Sequence, residues 1–290
     1  MSGVAFVDGE YLAVEEARIP LLDWGFLRSD ATYDVVHVWR GSFFRLADHV
    51  ARFRRGMEQL RLALPDGLPP LEEVLHECVR RSGLRDAYVE MICTRGLPKP
   101  GSRDPREARN AFYAFAIPFV WIADETKQET GLALHVSERQ RIPPRSVDPT
   151  VKNYHWLDLT VGLLEAYDAG AETVVLVDGA GNVVEGPGFN VFAVRDGALA
   201  TAAEGVLEGV TRRTVLELAA ELGIPVREGP LPAAELRAAD EAFLTSTAGG
   251  VMPIGSVDGR RIPPGPLTRR LRDTYWALHD DPRYASPVAY

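Results

Sequence analysis

Apolar positions along the chain recur with periods of about 2 and about 3.6, and each change of period marks a change of element. Val4 to Val7 and Tyr11 to Val14 flank an Asp8-Gly9 turn and predict a β-hairpin. A second hairpin is expected from the β-branched and aromatic run Thr32 to Trp39, through Arg40-Gly41, to Ser42–Leu46. Within Asp48 to Leu62, Val50, Phe53, Met57, Leu60 and Leu62 follow a helical spacing, and Pro70 to Arg81 predicts a helix stopped by Gly83. Strands at Ala87–Thr94 and Ala111–Ile122 complete a mixed α+β unit.

The polar run that follows Ile122 reads as a connection, dividing the chain into residues 1–121, a link at 122–132, and residues 133–290. Beyond it the pattern predicts a strand at Leu134–Ser137 and a helix at Trp156–Tyr167 with Gly170 placed to end it. Short strands are expected at Thr173–Asp178, Asn182–Glu185, Phe189–Val194 and Ala198–Thr201, then an amphipathic helix at Thr211–Leu222. A strand at Glu241–Thr245, a turn at Gly249-Gly250 and a helix at Pro266–His279 close the reading.

Composition narrows the class. With 290 residues, 46% of them hydrophobic, the chain has enough apolar material for one large core or two modest ones. Its longest apolar run, near Phe115 to Ala123, is broken by Pro118 and falls short of the roughly 20 residues that span a bilayer. The N-terminal stretch reaches Asp8 and Glu10 with no basic region, so neither a membrane segment nor a signal peptide is expected, and the location implied is cytoplasmic. Cys78 and Cys93 form no CxxC pair and have no His at metal-ligand spacing, which predicts free thiols and no structural zinc. A net charge of −9, dispersed along the chain, argues against a nucleic-acid partner and for small-molecule ligands. Of the 32 basic residues only Lys99, Lys127 and Lys152 are lysines, and Arg can neither form a Schiff base nor readily shuttle a proton.

Lys152 lies in Asp-Pro-Thr-Val-Lys-Asn-Tyr-His-Trp, where an irregular segment runs into a helix, while Lys99 and Lys127 fall in polar loops. Flanked by Val151, Tyr154 and Trp156, it is either a desolvated amine able to attack an aldehyde or a snorkelling surface residue. Glu185, in Val-Val-Glu-Gly-Pro-Gly-Phe-Asn, is either a carboxylate for a pyridine nitrogen or an ordinary turn residue. Gly209-Val210-Thr211 opens a helix whose N–H groups and dipole favour an anion. Thr245-Ser246-Thr247-Ala248-Gly249-Gly250 offers more donors, and Arg52 a balancing charge; capping, turn formation and a solvated helix face explain the same residues without a ligand.

In their order along the chain, Arg52, Lys152, Glu185, Gly209-Val210-Thr211 and Ser246-Thr247-Ala248-Gly249-Gly250 resemble the class IV aminotransferases, the fold-type IV enzymes that use pyridoxal 5'-phosphate (PLP). Ser29 to Val35, Thr94 to Leu97, Val151-Lys152-Asn153, Trp156 and Thr247 to Ile254 are most similar to the (R)-selective amine transaminases within that family, with branched-chain and D-amino acid aminotransferases next. The resemblance implies a small α+β N-terminal domain, a larger barrel-like PLP domain and a homodimer. It also implies Lys152 as Schiff-base lysine and proton shuttle, Glu185 on the pyridine nitrogen, and Arg52, Val210, Thr211, Ser246 and Thr247 around the cofactor and its phosphate. Tyr33, Tyr88, Glu90, Trp156 and Ala248 match positions lining the substrate pocket. Where relatives carry His after the Gly-Phe pair this chain has Arg28, either a cation for a substrate carboxylate or an entrance-surface residue, and Arg103, in a loop of unusual composition, suits an acceptor keto acid. The expected reaction moves an amino group from an (R)- or D-configured amine or amino acid to a 2-oxo acid such as pyruvate, in ping-pong fashion. Two alternatives stand beside it: a branched-chain or D-amino acid aminotransferase anchored by Arg28, and a PLP lyase similar to the aminodeoxychorismate lyases.

Overall fold

A computed structural model describes residues 3–290, the side chain of Glu125 excepted; Met1 and Ser2, the start of the N-terminal stretch read above, lie outside these residues. The described residues form two compact units, one of residues 3–120, 151–155 and 279–290, the other of residues 121–150 and 156–278.

The first unit contains β1 (Val4–Val7), β2 (Glu10–Ala13), α1 (Trp24–Arg28), β3 (Ala31–Trp39), β4 (Ser42–Phe44), α2 (Leu46–Gln59), α3 (Leu71–Ser82), β5 (Ala87–Leu97) and β6 (Arg109–Pro118). The second contains α4 (Glu125–Thr130), β7 (Leu132–Gln140), α5 (Leu157–Asp168), β8 (Thr173–Val177), β9 (Glu185–Gly186), β10 (Phe189–Arg195), β11 (Ala198–Thr201) and α6 (Val210–Glu221). It continues through β12 (Val226–Glu228), α7 (Ala233–Arg237), β13 (Glu241–Ser246), β14 (Gly250–Val257), β15 (Arg260–Arg261) and α8 (Pro266–Ala277), after which β16 (Ala285–Pro287) returns to the first unit.

Seven strands in the order β16-β4-β3-β5-β6-β1-β2 form the sheet of the first unit. One of its faces carries the core: Val36, Val38, Val89 and Met91 pack with Val50, Phe53 and Met57 of α2 and with Leu71, Val74, Leu75 and Val79 of α3. The apolar stripes of the two helices meet the strands' alternate positions there, and burial of this kind stabilises by about 25 cal/mol per Å² of apolar surface. Cys78 and Cys93 lie in this core as free thiols, each pushed up to about 12, chiefly by burial.

Nine strands form the second sheet, with β12-β11-β10-β13-β14-β7-β8 as its path, β15 beside β14 and β9 beside β10. Both faces are covered. Leu134, Val136, Val191, Leu244, Met252 and Ile254 belong to one cluster with Leu231 and Leu236, while Val174 and Leu176 pack with Leu159 and Ala166 of α5.

The structure departs from the expected linear division. Residues 122–132, read as a connection, contain α4, with Asp124 accepting a hydrogen bond from the Lys127 N–H at 2.9 Å as its cap. Residues 151–155 belong to the first unit because the Lys152 carbonyl accepts from Thr32 Oγ1 at 2.8 Å and from the Tyr33 N–H at 3.1 Å. The C-terminus is tied back by β16 on β4. Strand β14 lies where only a turn was expected after Gly249, and the strand expected at Asn182–Glu185 reduces to isolated bridges and β9.

Candidate active site

Successive residues of β3 face opposite sides of the first sheet. Tyr33, Val35 and His37 share one side with their cross-strand partners Ile92, Glu90 and Tyr88 on β5; Asp34 points to the other, toward α2. On Tyr33's side, Lys152 Nζ sits 4.4 Å from the Tyr33 ring centroid, and the Tyr154 ring stacks on Tyr33 at 4.2 Å and 5°. Both oxygens of Glu90 accept phenolic hydrogens, Oε1 from Tyr154 at 2.6 Å and Oε2 from Tyr88 at 3.2 Å. Burial raises the Glu90 carboxyl above the usual range, opposed by Tyr154, then Lys152 and Tyr88; burial first and Glu90 second hold both phenols strongly protonated. Lys152, Tyr33, Tyr88 and Glu90, four residues singled out in the sequence, therefore form one group. Lys99 and Lys127 are ion-paired to Glu107 and Glu172, whereas Lys152 has no ion-pair partner among the described residues.

On the opposite side, Arg52 grips Asp34 through Nε at 2.7 Å and Nη2 at 2.8 Å, and His49 Nδ1 lies 2.8 Å from the same carboxylate. Burial pushes Asp34 up, but Arg52 and the His49 hydrogen bond outweigh it and hold the carboxyl well below its usual range. Burial lowers His49 and so favours its neutral ring, against the opposing pull of Asp34. Arg28 and Arg103 do not join either group. The Arg28 guanidinium lies 3.5 Å over the Trp24 ring on an exposed helix end, and Arg103 is exposed in its loop.

In the second unit Glu185 is buried on β9. Its Oε1 accepts from Arg141 Nε at 3.1 Å, and its Oε2 from the Leu207 N–H at 2.9 Å. Arg141 in turn donates from Nη1 to both oxygens of Asp158, at 2.9 and 2.7 Å. Burial pulls the Arg141 guanidinium down, and Glu185 and Asp158 more than offset it, so it stays charged. The backbone next to Glu185 admits only glycine: a Cβ on Gly186 would lie 2.2 Å from the Phe189 ring and 2.4 Å from the Val174 carbonyl.

Helix α6 begins at Val210 and Thr211, both buried, behind Gly209, where a Cβ would come within 2.3 Å of Asn190 Oδ1. No acidic residue lies in its first turn, where every helix leaves N–H groups without an intrahelical partner. Ser246 is committed to its turn, donating to the Gly188 carbonyl at 3.0 Å and accepting from the Ala248 N–H at 3.2 Å. Beside it the buried Thr245 Oγ1 has no hydrogen-bond partner among the described residues. Thr247 and Ala248 are half-buried, and Trp156, the N-cap of α5, lies beside Gly188. Each unit by itself carries groups that fit PLP: the first a primary amine with no ion-pair partner among the described residues, the second a clamped carboxylate, a helix with no acidic residue in its first turn and a buried hydroxyl with no partner among the described residues.

The sequence had not marked Asp34, His49, Arg141 or Asp158. Asp34's only local signal is its place opposite Tyr33 in the β3 alternation, and Arg141 sits in a polar run among 32 basic residues that are nearly all Arg.

The chain belongs to the class IV amino-transferases, whose family pattern it matches over residues 31–257. It is a PLP-dependent aminotransferase of fold type IV. A Methanocaldococcus jannaschii protein, provisionally named a branched-chain-amino-acid aminotransferase, is 32% identical over 277 residues, covering 93% of this chain and 94% of the relative. The branched-chain aminotransferase of the archaeon Thermoproteus uzoniensis, solved with norvaline, superposes with a TM-score of 0.90 at 30% identity over 100% of both chains. The branched-chain amino acid aminotransferase of Thermobaculum terrenum, solved in its PLP form, gives 0.88 at 27% identity over 100% of this chain and 99% of the other. Among the described residues no helix is long and apolar enough to cross a membrane.

Proposed function

We propose that this aminotransferase acts on branched-chain amino acids, with a 2-oxo acid as acceptor and Lys152 as its catalytic base. The observation that carries the reading is Lys152, the lysine without an ion pair among the described residues, lying over Tyr33 and beside Glu90. The substrate class follows the relatives, which are named for branched-chain substrates and so favour the alternative reading of the sequence over the (R)-amine one.

PLP, when bound, supplies the electron sink that makes the substrate Cα–H bond acidic. Lys152 takes up the Cα proton on Nζ and returns it, and the Tyr33 ring favours the ammonium form during the transfer. Glu185 keeps the cofactor's ring nitrogen protonated. Phosphate donors would come from Val210, Thr211 and Thr247 in the second unit and from Arg52 in the first, Arg52 being pre-oriented by its two bonds to Asp34. Tyr88, Glu90, Trp156 and Ala248 bound the substrate, and exposed Arg28 and Arg103 are candidate contacts for a carboxylate.

The test is a panel of half-reactions in which each donor is mixed with the yellow holoenzyme and the loss of visible absorption is followed. Leucine, isoleucine and valine, each as L and D forms, are compared with (R)- and (S)-1-phenylethylamine. The proposal expects a branched-chain amino acid to react at least about tenfold faster than either amine, a difference of roughly 1.4 kcal/mol in barrier. Faster reaction with (R)-1-phenylethylamine contradicts it.

A further inference from the structure

Glu185 does not stand alone. Arg141 connects it to Asp158 in a continuous chain of charge-assisted bonds, with side chains only 9 to 12% exposed. Asp158 is itself fixed by the Ile142 N–H at 2.9 Å, so Arg141 cannot swing away from Glu185 without breaking two bonds to a half-buried carboxylate.

A carboxylate facing a protonated ring nitrogen in a low-dielectric site is prone to collapse into a neutral pair, the proton moving from nitrogen to oxygen, because burial penalises both charges. A guanidinium beside the carboxylate opposes this: it never deprotonates and lowers the oxygen's proton affinity. The Leu207 N–H on Oε2 acts in the same direction.

We propose that Arg141 is a positioning residue for Glu185, holding it ionised and oriented so that the shared proton stays on the PLP ring nitrogen. The proposal rests on the reading of Glu185 as the ring-nitrogen partner. Arg suits the position and Lys does not, since only the fork reaches Glu185 through Nε and Asp158 through Nη1 at once.

Holoenzyme reconstituted with 15N-labelled PLP tests it by NMR of the ring nitrogen in the wild type and in Arg141→Gln, Arg141→Lys and Glu185→Gln. The wild type should show the protonated signal and Glu185→Gln the unprotonated one. Arg141→Gln should move more than half of that interval, and Arg141→Lys, which keeps a charge but loses the fork, part of it. In Arg141→Gln kcat should fall at least about tenfold, with the donor's KM changed far less. A wild-type signal in Arg141→Gln, alongside an altered one in Glu185→Gln, overturns the proposal while sparing the Glu185 reading. An unchanged signal in Glu185→Gln overturns both. Should Arg141→Gln fail to fold, a wild-type signal in Arg141→Lys is the contradicting result.

Discussion

The hydroxyl of Tyr154 donates to Glu90 Oε1 at 2.6 Å while its ring stacks on Tyr33, so one side chain links the carboxylate to the aromatic surface beneath Lys152. Glu90's carboxyl is raised by burial, with Tyr154 the largest opposing influence. A carboxyl raised in the folded state contributes stability that is present below its unfolded pKa and lost as pH rises through the folded one. Tyr154→Phe should therefore steepen the loss of stability with rising pH and cost about 1–3 kcal/mol near neutrality. Glu90→Gln should flatten the slope. Thermal melts of the three proteins between about pH 4 and about pH 8 check this, and identical slopes for Glu90→Gln and wild type contradict it.

Asp34 behaves in the opposite sense. Arg52 and His49 hold its carboxyl below the usual range despite burial, so its contribution is present above the unfolded value of about 3.9 and is lost as pH falls below it. Asp34→Asn leaves Arg52 buried without its counter-charge and should cost about 3–5 kcal/mol at neutral pH. Urea unfolding at several pH values should show that penalty shrinking only in acid. A penalty of less than about 1 kcal/mol at pH 7 is the contrary result, the scale of a surface pair.

Gly186 leaves no room for a methyl group: the Phe189 ring and the Val174 carbonyl both lie within 2.4 Å of the point a Cβ would occupy. Gly186→Ala should displace β9, and with it Glu185, costing about 1–3 kcal/mol from overpacking and weakening PLP affinity. Gly170→Ala, at a positive-φ helix end with open space around it, is the control for a purely conformational penalty. Melting of the apo-proteins and PLP titration separate the two effects, and wild-type PLP affinity in Gly186→Ala contradicts the first.

The elements were legible where they obey a local period. Tyr33, Val35 and His37 alternate with Asp34 and Val36 in sequence as they do across β3, and the apolar stripe of α2 reads directly from Val50, Phe53 and Met57. Lys152 stood out because only three lysines exist. What escaped was pairing between distant residues. The bond from Arg141 to Glu185, the return of β16 to β4 and the attachment of residues 151–155 to β3 leave no periodic trace, since each depends on where separate elements meet. Strand β14 was hidden by Gly250 and Pro253, residues that usually interrupt a strand.

Whether Lys152 carries the cofactor is decided most directly by borohydride reduction of the holoenzyme, which fixes PLP covalently to whichever lysine holds it. Peptide mass spectrometry then distinguishes Lys99, Lys127 and Lys152, the three lysines in the chain. The pyridoxyl group is expected on the peptide containing Lys152, and Lys152→Ala should bind PLP without being labelled or turning over substrate. Labelling of Lys99 or Lys127 instead, or full turnover in Lys152→Ala, contradicts the account.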